Sequence, residues 1–217
     1  KSKQFLKVLP GPNGRHESMV QRVYRQLQEV GGWDSITVAA GASQRDQLEL
    51  QLGKEVNIVI EPERRDTFPA IALACSYLHS ECGVHYSEVI AILPVDPFVE
   101  LDYFVNISKF EELIQSNPNM LILMGATPII PSEKYGYILP QTKNNVSVVK
   151  YFKEKPDTKT AQELIEKGAL WNCGVFGMTL GYIAKIFAEK YKISELNYSE
   201  LLSNFSNLAK TSFDYEI

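Results

Sequence analysis

Cysteine is scarce in this sequence and does not pair. Cys75, Cys82 and Cys173 contain no CxxC spacing, and an odd count builds no disulfide framework. Cys75 and Cys82 lie seven apart, so a helix would bring them to one face. His16, His79 and His85 nonetheless do not complete a zinc set around them. Free thiols in a reducing compartment, the cytoplasm, are expected. Long apolar runs are missing as well. No stretch reaches the length of a membrane span, and the charged opening KSKQFLKVLP is too short for a signal peptide. No basic tract stands out against a net charge of -4, which argues against duplex nucleic acid as a partner. There is no GxGxxG and no GKS or GKT loop, which argues against dinucleotide and P-loop chemistry. Nor is there a Ser-His-Asp or Cys-His arrangement, a Gly/Ser/Pro linker, an internal repeat or a low-complexity tract.

What remains is an ordinary globular composition. The chain has 217 residues, 45% of them hydrophobic, enough for the core of one sizeable domain or a tight pair. Ser18-x-x-Gln21 reads as a capping box that opens a helix with Met19, Val20, Val23, Leu27 and Val30 on one face. Gly31-Gly32 ends that helix. Strands are expected at 35–40 and 56–60, separated by a helix that Ser43 caps and that runs to about Leu52. Pro69 fits the first turn of a helix reaching about Ser80. Residues 88–95 have no polar face, which is the pattern of an interior parallel strand. A helix is expected near 102–116 and a strand at 120–126. Repeated strand–helix alternation at short spacing predicts an α/β protein with a mostly parallel sheet covered on both sides. After about residue 130 the rhythm changes. Short strands at 137–140 and 146–155, a helix over 160–167 with Thr160 as its cap, and a strand at 175–180 predict antiparallel additions to the same sheet. A last helix follows to about Tyr191.

The residues that could carry chemistry sit at the ends of these elements. Asp96 closes the apolar strand, where α/β proteins bind ligands and ions. A carboxylate there suits Mg²⁺, whose remaining ligands are usually phosphates; a surface turn aspartate before Pro97 is the competing reading. Asp214, in the polar stretch SFDY, is a candidate second carboxylate. Lys3 could neutralise a phosphate. Arg64 and Arg65 follow a strand and precede a helix, a place for bidentate phosphate binding. Glu154-Lys155 ends a strand, and Gly136 lies where the backbone must turn or approach a ligand. Asn172 offers both a donor and an acceptor to sugar hydroxyls.

Taken in order, these stretches resemble the sugar-1-phosphate nucleotidyltransferases, and among them the mannose-1-phosphate guanylyltransferases. SKQFLKVL at 2–9 is similar to the family's PKQFL segment, which assigns Lys3 to phosphate. EPERRDTFPAIALA at 61–74 resembles EPxGRNTAPAIALAA, placing Glu61, Pro62, Arg65 and Thr67 at the nucleotide; Arg64 and Asp66 depart from the usual Gly and Asn. LPVDPFVE at 93–100 resembles LPADHxI and puts Asp96 on the magnesium aspartate. EKYGYI at 133–138, FKEKPD at 152–157 and LWNCGVF at 170–176 resemble the sugar-side segments. These imply sugar-phosphate roles for Gly136, Tyr137, Glu154, Lys155 and Asn172. SFDY at 212–215 is similar to SxDYxxxE, making Asp214 the second Mg²⁺ ligand.

The resemblance implies a three-layer, Rossmann-like nucleotide-diphospho-sugar transferase (GT-A-like) fold. It further implies transfer of GMP from GTP to α-D-mannose 1-phosphate, with Lys3 and Asp96 catalytic, Mg²⁺ as cofactor and a homodimer as the assembly. Another sugar 1-phosphate, or a catalytically silent binding subunit, are the competing functions. On the same resemblance, residues 1–217 correspond to one nucleotidyltransferase domain. It would lack the family's N-terminal glycine-rich loop and its C-terminal end, and would be a portion of a complete enzyme.

Overall fold

A computed structural model describes residues 2–217. The chain forms two compact units. The first holds everything up to Leu121 together with Gly177–Ile217, and the second is Ile122–Phe176.

In the first unit a 3₁₀ turn over Lys3–Phe5 precedes a short antiparallel pair, β1 (Leu9–Pro10) with β2 (His16–Glu17). Helix α1 (Met19–Val30) starts where the capping box predicts: Gln21 N–H donates to Ser18 Oγ, and Ser18 N–H donates to Gln21 Oε1. It stops at Gly31, whose φ of 69° suits a residue without Cβ. Strand β3 (Thr37–Gly41) follows. Ser43 is not the next cap; Ala42–Gln44 forms a 3₁₀ turn in which the Gln44 side-chain carbonyl takes the N–H of Gly41, and α2 (Arg45–Leu52) begins beyond it. Strand β4 (Asn57–Glu61) pairs parallel to β3, from Thr37↔Asn57 to Gly41↔Glu61. Helix α3 (Thr67–Ser80) carries Pro69 in its first turn, where a missing N–H costs nothing. Then comes β5 (Val89–Ile92), shorter than predicted. The helix expected over 102–116 is two helices, α4 (Leu101–Ser108) and α5 (Phe110–Ser116). At the break Lys109 N–H bonds Ile107 O, and the buried Phe110 ring lies so close against Gly177 that a Cβ there would collide with it.

The second unit contains β6 (Ile122–Ala126), β7 (Tyr137–Pro140), β8 (Val149–Lys153), α6 (Thr158–Glu166) and most of β9 (Leu170–Thr179). As expected, the pairings of β7 are antiparallel. β7 pairs with β8 through Tyr137↔Lys153 and with β9 through Tyr137↔Trp171, and β6 also pairs with β9. Asp157, not Thr160, caps α6, its Oδ1 accepting the N–H of Thr160 at 2.7 Å. That bond holds the Asp157 carboxyl below the usual range. Tyr137, Ala161, Leu164 and Ala169 form the core of this unit, with Trp171 packed on it.

From Gly177 the chain is again in the first unit, adding α7 (Leu180–Tyr191), α8 (Tyr198–Asn204) and α9 (Phe213–Glu216). The rings of Phe68, Phe187, Tyr191 and Phe213 cluster here, Phe68 and Phe187 edge-on at 5.0 Å. Among the described residues no helix is long and apolar enough to cross a membrane.

Candidate functional site

Core packing in the first unit brings Lys3 and Asp96 together. Phe5 is buried with Val20, Ala40 and Leu48, and Val95 packs on the same cluster. The residues flanking these anchors are thereby fixed at one mouth. Lys3 Nζ lies 3.7 Å from Asp96 Oδ2. Both side chains are largely exposed, 82% and 57%, so the pair contributes at most about 1 kcal/mol and can exchange partners readily. Gln4, Leu6, Val8, Leu9 and Met19 complete a cleft of about 130 Å³. That is below the roughly 300–1,000 Å³ of a small-molecule pocket.

The segment after Asp96 is tied down by side chains that sequence reasoning missed. Arg22 Nη2 and Gln26 Nε2 both donate to the carbonyl of Val99 at 3.2 Å, and the Arg22 guanidinium stacks 4.6 Å above the Phe98 ring. Glu17, buried, pairs with Arg25 at 2.7 Å and with Arg22 at 3.8 Å. The available signal was Arg22, Arg25 and Gln26 recurring at helical spacing on α1, which also fits a solvated face.

The residues expected at the nucleotide lie between β4 and α3. Glu61 ends β4 half-buried; burial pushes its carboxyl pKa up and the charge of Arg64 partly offsets this. Pro62 is exposed. Arg65 donates from Nη1 to Leu208 O at 3.2 Å and from Nη2 to Ser206 O, and pairs with Glu63 at 3.0 Å. Hydrogen bonds from Ser206 and then Arg65 hold the Glu63 carboxyl below its usual range. Asp66 adopts φ 69°, ψ -174°, a conformation almost confined to glycine, while its side chain caps Thr67 N–H at 2.8 Å. Thr67 Oγ1 accepts the N–H of Phe213 at 2.8 Å, one residue before Asp214.

In the second unit Tyr137 and Asn172 lie on β7 and β9, Gly136 immediately precedes β7, and Glu154 and Lys155 directly follow β8. Asn172 N–H donates to Gly136 O at 2.8 Å, and its side-chain Oδ1 accepts from Gly174 N–H at 3.0 Å. Asn172 is therefore a buried residue of β9, which starts five residues before the strand expected at 175–180. Glu154 is only 10% exposed in its side chain, pairs with Lys155 Nζ at 2.6 Å, and lies so near Gly136 that a Cβ there would stand 2.6 Å from its Oε2. Lys155 has φ 41° directly before Pro156, where extended backbone is preferred, so this turn is strained. The Tyr137 hydroxyl accepts from Trp171 Nε1 and Ser132 N–H and donates to Ser132 O. Its role is thus to hold the sheet, and the exposed Tyr135 ring lies 4.7 Å from Trp171.

Among the described residues no three His, Cys, Asp or Glu side chains form a metal-binding group. Mg²⁺ needs less than that, since one or two carboxylates plus substrate phosphates and water satisfy it. An exposed Asp96 carboxylate whose present partner is a weakly held lysine fits such an ion.

The family profile described as Nucleotidyl transferase matches residues 3–214. The chain is 31% identical over 179 residues to the xanthan biosynthesis protein XanB of Xanthomonas campestris pv. campestris (strain B100), covering 80% of this chain and 36% of that protein. It is 29% identical over 187 residues to a mannose-1-phosphate guanylyltransferase of Escherichia coli, covering 80% of this chain and 38% of that one. The chain thus spans little more than a third of the curated relatives it matches. A crystal structure described as mannose-1-phosphate geranyltransferase from Thermus thermophilus superposes with a TM-score of 0.79 at 23% identity, over 97% of this chain and 63% of that one. The fold is accordingly mixed α/β, as the alternation of elements predicts, and Rossmann-like, as the resemblance implies.

Proposed function

We propose, from the premise that this chain belongs to the nucleotidyl transferase family, that it transfers GMP from GTP to α-D-mannose 1-phosphate, releasing pyrophosphate and GDP-mannose. The observation that carries the reading is the Lys3–Asp96 pair at an open cleft inside the region of the family match. The Escherichia coli relative supports the choice of nucleotide and sugar by its name.

The sugar phosphate is already an anion, so its oxygen attacks the α-phosphorus in line without a strong general base. Positioning and electrostatics then carry the rate. In this reading Lys3 offsets the charge that builds on the attacking and transferred phosphates. Glu61 and Pro62 are the residues of the β4–α3 loop assigned to the nucleotide, and Arg65 and Thr67 belong to the base of the same loop. In the second unit the Glu154 carboxylate accepts from sugar hydroxyls, Asn172 orients the sugar, and Lys155 serves its phosphate, while Gly136 leaves room for Glu154 and the buried Tyr137 braces the strands. Asp96 and Asp214 would hold Mg²⁺, which when bound neutralises phosphate oxygens and aligns them. A cytoplasmic location and a homodimer belong to the same proposal.

Pyrophosphate release tests it, with GTP, ATP, UTP and CTP each paired with mannose 1-phosphate in the presence of Mg²⁺. Release with GTP alone, abolished in Asp96→Asn, is the expected result. Release only with glucose, fucose or heptose phosphates would reassign the sugar. Binding of GTP without any transfer would make the protein a silent nucleotide-binding subunit.

A further inference from the structure

We infer that Arg65 and Thr67 are positioning residues that set the backbone beneath Asp214, rather than contacts to the nucleotide. The inference rests on the reading of Asp214 as a metal carboxylate and changes what its neighbours do. The donors of Arg65 are committed to main-chain carbonyls 141 and 143 residues away, at Ser206 and Leu208, and to Glu63, which in turn accepts from the Ser206 hydroxyl. The Thr67 hydroxyl is committed to Phe213 N–H. Two main-chain bonds run between them, Thr211 N–H to Arg65 O and Phe68 N–H to Thr211 O.

The result is a clasp with ties at 206, 208, 211 and 213. The last lies one residue before Asp214, and the buried Phe213 ring faces Phe68 beneath it. A metal carboxylate must be held to within about 0.5 Å to be useful. The clasp fixes the backbone up to the residue before Asp214 and makes the nucleotide loop and the second carboxylate move as one piece.

The test compares wild type with Thr67→Val, Thr67→Ser and Arg65→Gln. Four quantities are read: Mn²⁺ affinity of the GTP complex from the free-Mn²⁺ resonance, GTP affinity in a chelator by calorimetry, amide hydrogen exchange at Phe213, and thermal unfolding. Thr67→Val and Arg65→Gln should weaken Mn²⁺ binding at least about tenfold, as losing a residue that orients a metal ligand does. Exchange at Phe213 should accelerate, metal-free GTP affinity should stay within about twofold, and Thr67→Ser should restore wild-type values. A tenfold loss of metal-free GTP affinity with Mn²⁺ binding intact would overturn the inference in favour of nucleotide contact. Lower thermal stability with both affinities unchanged would overturn it in favour of a purely structural clasp. Asp214→Asn with unaltered Mn²⁺ affinity would remove its premise. Wild-type protein that binds Mn²⁺ and GTP yet transfers nothing overturns only the proposed reaction, because the clasp is scored on binding and exchange.

Discussion

Gly136→Ala probes how closely the sugar-side residues are packed. The added Cβ would stand 2.6 Å from Glu154 Oε2 and 3.0 Å from the Phe152 ring. Gly136 is outside the positive-φ set, so the backbone itself tolerates alanine. The cost comes instead from displacing a carboxylate that is 10% exposed and paired with Lys155 at 2.6 Å. Overpacking of this size costs about 1–3 kcal/mol. Reduced freedom of the unfolded chain returns about 0.4–1 kcal/mol. A net loss of up to about 2.6 kcal/mol remains, a Tm drop of up to roughly 10 °C for a chain of this length. The Glu154 carboxylate is the flexible partner and gives way first, so on the proposed reaction KM for the sugar phosphate should rise about tenfold, the equivalent of one mispositioned charged hydrogen bond. KM for GTP should stay near wild type. Calorimetric unfolding and steady-state kinetics on both substrates decide it. A variant with wild-type Tm and wild-type sugar KM would show that Glu154 has room to spare and refute the packing argument.

Two further outcomes follow from the loop at 61–67. Asp66→Gly should stabilise the protein by about 0.5–2 kcal/mol in denaturant unfolding, because strain of about 1–3 kcal/mol is relieved while an N-cap replaced by glycine loses only a few tenths; Asp66→Ala, which keeps the strain and loses the cap, should destabilise, and the opposite ranking would sink the assignment of strain. For Glu61 the folded pKa lies above the unfolded one, chiefly through burial. Its contribution to stability is therefore fully present below the unfolded pKa of about 4.3 and is lost as pH rises through the folded pKa. Glu61→Gln should then melt above wild type at pH 7–8 and converge with it near pH 4; a difference that does not depend on pH would show that burial exerts no such effect.

Where a signal lies within a few residues, the chain alone was sufficient. The Ser18–Gln21 box, the apolar spacing behind it and Gly31 specify α1 completely, since every group involved is within one helical turn of its partner. Strand β7 and the parallel β3–β4 pair follow from β-branched and aliphatic runs bounded by turns. The order of short motifs was enough to identify the family. Even local reasoning failed where two candidates competed, as at Asp157 and Thr160, where the stronger oxygen acceptor took the cap. Trp171-Asn172-Cys173-Gly174 falls outside the strand expected at 175–180, and only the ladder from Asn172 N–H to Gly136 O makes it strand. The partners of Arg65, 141 and 143 residues distant, lie beyond any local pattern. So does the cluster of Phe5 and Val95 that brings Lys3 to Asp96. Periodicity and capping are short-range and readable in the chain. The pairing of charges and the commitment of hydrogen-bond donors depend on which distant segments the core draws together, so these were decided only by the tertiary structure.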